Sequence, residues 1–311
     1  MTADLPKIGF GLPVAGPWAT PQIVADTARL AETLGYSSLW TFQRVLSPTG
    51  GDLEPPHRAV HDPVVMLSYV AGLTSTIGLG TATLCAPFVA PVLLAKTVTS
   101  LDVMSGGRLT IGLGSGWITE EFTAAGVPFE RRGARLDEYL RCLDVIWAGD
   151  PVSFEGDFYT LPVSDFGLRP VQRPHPPILL GGTAPAALRR AGRVAQGWIG
   201  SSGLDLDRIG PLVETVRSGA LHAGRDPGSL RMVVRCVPDL VDADPGPRRR
   251  PLQGTRSQVL DDLVSLRTQG VTEVFFDLNL SRRVGFPDVD VGEAVDYSRQ
   301  VLHAFACEPR N

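Results

Sequence analysis

The residues with chemical potential lie in short clusters that follow apolar runs. Gln43 and Arg44 come directly after SSLWTF, which puts an amide and a guanidinium at the end of a buried segment. Gly80-Thr81-Ala82-Thr83 and Gly114-Ser115-Gly116-Trp117 each continue from a copy of one pentapeptide, TIGLG, at residues 76–80 and 110–114. Gly181-Gly182-Thr183 ends an apolar run and precedes a helical pattern whose first-turn amides suit a phosphate. Small side chains at three such ends let a ligand approach the backbone closely. Together they fit a large flat ligand carrying a phosphate better than a small charged one. Arg44 stays protonated, so it is no base near neutral pH but suits polarising a carbonyl or carboxylate. Glu120, beside Glu121 after Trp117, and His57, in the loop EPPHRAVHDP with His61, are the weaker proton-donor candidates.

Other chemistries lack their residues. Gly112, Gly114 and Gly116 give G-x-G-x-G followed by Trp117, which is not a dinucleotide fingerprint, and the P-loop lysine is missing. No Ser-His-Asp order appears at segment ends. Cys85, Cys142, Cys236 and Cys307 form no C-x-x-C pair, and no metal-ligand spacing is evident, so no metal is expected. His175 lies between prolines, while His222 and His303 fall in helical segments. A net charge of −4 argues against nucleic-acid or anionic-membrane partners. No apolar stretch approaches the ~20 residues of a membrane span, and the beginning MTADLPKIGF has no signal-peptide pattern. A cytoplasmic protein acting on a small molecule is the expectation.

The two TIGLG copies start at Thr76 and Thr110, 34 residues apart, and enclose PVLLAKTVTSLDVMSGGR. That segment reads as a helix opened by Pro91 and ended by Gly106-Gly107. Strand, helix, matching strand is a β/α unit, and eight candidate strands repeat it. They are residues 7–12, 37–42, 76–84, 109–114, 177–182, 197–201, 231–237 and 272–279. Most are continuous apolar runs, as strands buried on both faces should be. Helices are expected after Thr20-Pro21 and Asp62-Pro63, with Asp62 an N-cap, and at 91–105, 135–149, 185–197, 208–219, 257–270 and 291–306. The pattern predicts a (β/α)8 TIM barrel as a single domain over 1–311, with insertions after strands four and seven. The first insertion should hold a small hairpin. Asp102 and Arg108 are expected to close the Gly106-Gly107 turn as an ion pair.

SSLWTFQRVL, DPVVMLSYVAGLTSTIGLGTATL, PVLLAKTVTSLDVMSGGRLTIGLGSGW, RRGARLDEYLRCLDVIWAGDPVSFEGDFYTL and PPILLGGTAPAALRRAGRVAQGWI together resemble the bacterial luciferase-like superfamily. More narrowly they are similar to its deazaflavin-dependent oxidoreductases, which use coenzyme F420, and the likeness covers most of residues 5–280. The resemblance implies a cofactor at the carboxyl-terminal barrel face and hydride transfer at the deazaflavin C5 atom. It implies a bulged third strand, often with a non-proline cis peptide, backing the ring at Gly80, Thr81, Ala82 and Thr83. Gly114, Ser115, Gly116 and Trp117 would line one side, Gln43 would border the cofactor, and Gly181, Gly182 and Thr183 would take the phosphate. It further implies a homodimer through helices early in the barrel, for which PVVMLSYVAGL and PVLLAKTV are candidates.

Many deazaflavin relatives end the second strand in Asp-His, with the histidine a base in the sugar-phosphate dehydrogenases. Gln43 and Arg44 stand at those positions here. The substitution favours reduction of an electron-poor C=C or C=O over alcohol oxidation. Two alternatives stay open: an FMN-dependent monooxygenase on the same barrel, and a non-catalytic flavin or deazaflavin carrier. Arg248-Arg249-Arg250 lies after the seventh strand and offers charge to the anionic oligoglutamate tail that FMN lacks. As a loop residue, Arg44 should be replaceable by alanine with little change in thermal midpoint and a loss of turnover.

Overall fold

A computed structural model describes residues 5–51 and 53–307. Eight parallel strands close into a ring. In chain order they are Lys7–Gly11, Ser38–Thr41, Gly78–Thr81, Leu109–Gly114, Ile178–Gly181, Gly197–Gly200, Arg231–Cys236 and Glu273–Phe276. The first pairs with the eighth and the third with the fourth, so no edge remains open. The fold is the expected TIM barrel. No helix among the described residues is long and apolar enough to cross a membrane.

The interior explains why glycine recurs at strand positions. Trp40, Leu179, Ile199, Val233 and Phe275 form one buried layer inside the barrel, with Trp40 and Phe275 stacked at 5.1 Å. Burying such side chains contributes about 1.5–3 kcal/mol each. A Cβ on Gly80 would run into the Trp40 ring, so the glycine of the first TIGLG is the seat of that tryptophan. A Cβ on Gly112, in the second copy, would strike the Thr81 carbonyl oxygen. The repeated pentapeptide thus reflects two adjacent strands, paired Leu79 to Leu109 and Gly80 to Thr110, that both need small residues beside a crowded interior.

Strands seven and eight carry an ion pair at each end of this layer. At the amino-terminal end Arg231 grips Glu273 through two bonds of 2.7 and 2.8 Å and reaches Thr110 Oγ1 at 2.9 Å. Four residues further along both strands, Arg235 meets Asp277. The side-chain period of two puts both pairs on the inward face.

The third strand is interrupted. Its pairing with the fourth moves from Gly80↔Thr110 to Leu84↔Leu113, so four residues on one strand span three on the other. The extra residue falls within 81–83, a bulge, and the Ala82–Thr83 peptide is cis.

Helix starts follow the chemistry of the sequence. Thr20 caps Pro21–Thr33 and Asp62 caps Pro63–Ala71, its carboxylate accepting from Val64 and Val65 amides at 2.9 Å. The helix Arg132–Ala148 begins before the expected residue 135, and Pro185–Val194 ends before 197 because Gly197 already belongs to the sixth strand. The insertion after strand four contains the hairpin Val152–Glu155 and Thr160–Ser164. Buried Glu138 anchors it by accepting from the amides of Asp157, Phe158 and Tyr159.

Asp102 and Arg108 do not pair. Asp102 is buried and accepts from the Val171 and Gln172 amides and from the Gln172 side chain at 2.7–3.1 Å. Arg108 donates to the Ala71, Thr74, Ile77 and Ser105 carbonyls and to Thr74 Oγ1. Each satisfies orphan backbone groups of a different loop, so both are structural without touching one another.

Candidate active site

The carboxyl ends of the strands enclose a cavity of about 530 Å³. Its floor is Ala82, packed on the Trp40–Phe275 layer, together with Ile199. The bulge brings Ala82 and Thr83 to the surface of this floor, while Gly80 and Thr81 stay a layer below. Thr81 spends its hydroxyl bridging strands three and four, donating to Gly112 O at 3.1 Å and accepting from Gly112 N at 2.9 Å. Of the expected ring-backing residues, therefore, Ala82 and Thr83 border the cavity and Gly80 and Thr81 support them.

One wall is the end of strand two. Half-buried Gln43 accepts from the Cys85 amide at 2.7 Å, tying this wall to the resumed third strand. Arg44 is not a solvated loop residue. Its side chain is 11% exposed and donates from Nη1 to Glu121 Oε2 at 3.1 Å. Glu121 is 4% exposed and its Oε1 also accepts from the Val45 amide at 2.7 Å. Trp117, 64% exposed at the cavity mouth, lies 5.2 Å from the Arg44 guanidinium. Glu120 points to solvent and does not line the cavity; the helix turn of Thr119–Ala124 presents its neighbour Glu121 instead. Glu120, the expected weaker proton donor, thus stands outside the cavity.

Gly114, Ser115 and Gly116 form the opposite wall. A Cβ on Gly116, whose φ is +75°, would meet Cys85 Sγ and the Phe122 ring at 2.6–2.7 Å. Gly181, Gly182 and Thr183 line the next sector, and Trp198 Nε1 holds the turn by donating to Gly182 O at 2.8 Å. The helix Pro185–Val194 starts just beyond, with Ala184 at its N-cap and no side chain capping it. Burial keeps the Cys85 thiol protonated by raising its pKa.

His57 borders the cavity, edge-on to Phe42 at 5.9 Å. Burial, then the charges of Arg235 and Arg44, hold its pKa down to about 4 against Asp277, which acts the other way. The ring is thus neutral at pH 7 and offers a neutral N–H or lone pair, not an imidazolium proton. Its folded pKa lies below the ordinary 6.5. Between pH 6.5 and 4 the unfolded chain binds a proton that the folded chain refuses, so stability falls as pH drops through that window. His57→Asn is expected to flatten this acid-side loss in urea unfolding at pH 7 and 4.5; parallel losses in variant and parent would refute the assignment.

Arg235 went unnoticed in the sequence. It is 7% exposed, lines the cavity, and lies over the Phe42 ring at 4.2 Å. Its Nε donates to Asp277 Oδ2 at 2.7 Å. Nη2 lies 2.5 Å from the same oxygen, so the ion pair engages both nitrogens. Asp277 in turn accepts from Asn279 N and Nδ2, and Asn279 Oδ1 takes the Val14 and Ala15 amides. The available signal was an arginine and an aspartate near the ends of neighbouring apolar strands.

Two buried side-chain nitrogens without a protein partner belong to residues of this one cavity: Arg44 Nε and His57 Nδ1. A glycine-lined concavity edged by under-satisfied polar nitrogens, one of them a guanidinium donor, suits a flat ligand rich in polar edge atoms and carrying a phosphate. A flavin or deazaflavin nucleotide fits that description; Ala82, Thr83, Gly114 and Gly116 would then lie against the ring and the Gly181–Thr183 turn at the phosphate.

A closed parallel barrel with this cavity at its strand ends is the architecture of the luciferase-type oxidoreductases and monooxygenases. The chain belongs to the luciferase-like monooxygenase family, whose model matches residues 8–272. An uncharacterized protein of Mycobacterium tuberculosis is 30% identical over 296 residues, covering 91% of this chain and 94% of that one. The FMNH(2)-dependent dimethylsulfone monooxygenase of Pseudomonas putida is 33% identical over 63% of this chain and 53% of its own length. The F420-dependent glucose-6-phosphate dehydrogenase of Kineococcus radiotolerans is 32% identical over 76% of this chain and 68% of its own. Two solved structures share the fold. Monooxygenase RslO1 from Streptomyces bottropensis has a TM-score of 0.78 at 22% identity, covering 96% of this chain and 98% of that one. The coenzyme F420-dependent tetrahydromethanopterin reductase of Methanopyrus kandleri has 0.75 at 19%, covering 97% and 98%.

Proposed function

We propose that this chain is an F420-dependent oxidoreductase that passes hydride from the reduced deazaflavin to an electron-poor C=C or C=O of a small organic acceptor. The observation that carries this reading is the cavity's lining: two guanidinium groups and a neutral, low-pKa histidine, with Glu121 committed to Arg44. Such a lining stabilises negative charge developing on an acceptor, and the neutral His57, with its pKa held down to about 4, is a weak base toward an alcohol. When bound, the reduced deazaflavin supplies the hydride.

The chain's own residues orient and shield. Ala82 and Thr83 support the ring plane, and the Gly181–Thr183 turn with the uncapped helix start receives the phosphate. Trp117 covers the mouth, and Arg44, fixed by Glu121, orients the polar end of the acceptor. Orientation and fixed charge are the main sources of rate in a direct hydride transfer. The test is single-turnover oxidation of reduced F420 with a panel of enones, imines and alcohols. Turnover of alcohols by oxidised F420 in preference to enones would overturn the direction.

The arginine run of the strand-seven insertion divides. Arg249 is tied to Asp262 by bonds of 2.6 and 2.8 Å, so replacing all three arginines would also disturb the loop. Arg248 and Arg250 have no carboxylate partner among the described residues and remain for the oligoglutamate tail. Exposed pairs contribute on the order of 0.2–1 kcal/mol each and are screened by salt. Arg248→Ser with Arg250→Ser should weaken F420 binding several-fold at low salt and leave FMN binding unchanged. Unchanged F420 affinity at low salt would discard the tail contact.

We further propose that two copies pair through the neighbouring helices Pro63–Ala71 and Pro91–Met104. Val65 is 66% exposed, Leu93 61% and Met104 78%, more apolar surface than two solvated helices need. Light scattering should give twice the chain mass, falling to the monomer in Val65→Glu/Leu93→Glu. A monomeric parent would end this reading.

A further inference from the structure

A second cavity, about 590 Å³, opens beside the first and shares Ser202, Gly203 and Arg235 with it. Its remaining wall comes from the loops after strands six, seven and eight, with Glu54 from the loop after strand two. Apolar surface is supplied by Leu204, Val237, Leu280 and Phe286. The charged lining is Arg235, Arg250, Arg282 and Arg283 against Glu54, Asp205 and Asp239.

These charges are not equally available. Asp205 accepts from the Asp207 amide in its own turn, and Asp239 accepts from Gln253 Nε2. Arg283 donates to Leu240 O and lies on the Tyr297 ring at 3.8 Å. Arg282 rests on Phe286 at 4.1 Å with no carboxylate or carbonyl partner among the described residues. Arg235 is the decisive member. More than nine-tenths buried, it holds Asp277 through Nε and Nη2, and its Nη1 has no hydrogen-bond partner among the described residues, at the wall common to both cavities. A buried guanidinium with an incomplete set of acceptors is met best by a planar anion, which takes two parallel N–H bonds.

We propose that this second cavity is the acceptor's compartment, and that the acceptor is an amphipathic organic acid whose carboxylate is held by Arg235 and Arg282. The apolar body then lies along Leu280 and Phe286, and the end nearest Ser202 and Gly203 reaches the cofactor cavity. That this acid accepts hydride rests on the proposed function; its recognition as an acid does not.

The test uses the full-length protein and two probes of nearly equal shape, trans-cinnamate and its neutral amide, cinnamamide. Calorimetric titration at low salt should show the acid binding at least tenfold tighter than the amide. Arg282→Ser, at an exposed position, should weaken the acid several-fold and leave the amide unchanged. Arg235→Lys, which retains a charge for Asp277, should remove most of the preference. Equal affinity of acid and amide overturns the proposal, as does a preference that survives both variants. Should Arg235→Lys fail to fold, the Arg282→Ser comparison decides alone. A competition arm separates the acid from the coenzyme tail. If F420 displaces cinnamate but the deazaflavin riboside without phosphate or tail does not, the cavity belongs to the tail and the proposal falls. F420 titration in parallel keeps the two readings apart. F420 binding without an acid preference sinks this inference alone, whereas FMN binding tighter with the preference intact sinks only the cofactor assignment.

Discussion

Arg44→Ala is expected to lower the thermal midpoint by roughly 3–5 °C and to slow hydride transfer at least tenfold. The stability part reverses what its position after an apolar strand suggests. Arg44 neutralises Glu121, which is 4% exposed and cannot leave its place because Val45 and Leu46 amides also hold it. Removing one partner of a buried pair costs up to about 3–5 kcal/mol. The two amides and the cavity's access to water reduce this to about 2–3 kcal/mol. The rate part follows from the guanidinium's place at the cavity wall, beneath Trp117. Arg44→Lys should recover much of the midpoint but little of the rate, since an ammonium lacks the planar fork. Calorimetric melts and stopped-flow oxidation of reduced F420 measure the two effects. A midpoint within about 1 °C of the parent would show that the pair contributes nothing, and an unchanged rate would remove Arg44 from the mechanism.

Ala82→Trp should abolish cofactor binding, by at least about 100-fold or 2.7 kcal/mol. Ala82 is half-buried on the floor, in contact with the inner layer of Trp40, Leu179, Ile199, Val233 and Phe275. That layer is closed from below, so an indole at this position has only the cavity to occupy. It would fill the space assigned to the ring, because Gly114 and Gly116 opposite offer no side chain that can move aside. Retention of the fold is checked by circular dichroism, and binding by quenching of deazaflavin fluorescence. Full affinity in a folded variant would place the cofactor elsewhere.

The barrel was legible because its strands are buried on both faces and several of its helices begin with side-chain caps. All eight strands lie where apolar runs between Gly, Pro and polar punctuation place them, and Thr20 and Asp62 cap as their types require. The glycine-rich strand ends were legible for the same reason: in a barrel each strand end has one possible location. Side-chain partners were not. Asp102 and Arg108 are close in sequence, yet backbone groups of distant loops satisfy them. Glu120 and Glu121 are identical by type, and only the register of a six-residue helix decides which one turns inward. Gly80 and Thr81 fell below the floor because a one-residue bulge sets the boundary between interior and cavity. Arg235 was masked by its strand, where a single charge among apolar residues gains meaning only beside Asp277 on the next strand.

The most direct measurement of the central claim is the relative affinity of the purified protein for F420 and FMN, titrated by fluorescence at low salt. The cavity's glycine-lined walls accept either ring, so discrimination rests on the tail and on charge. A deazaflavin-dependent reductase should bind F420 more tightly than FMN and oxidise the reduced form when an electron-poor acceptor is added. FMN binding tighter than F420, with oxygen-dependent turnover of reduced FMN, would contradict that claim and make the chain a monooxygenase.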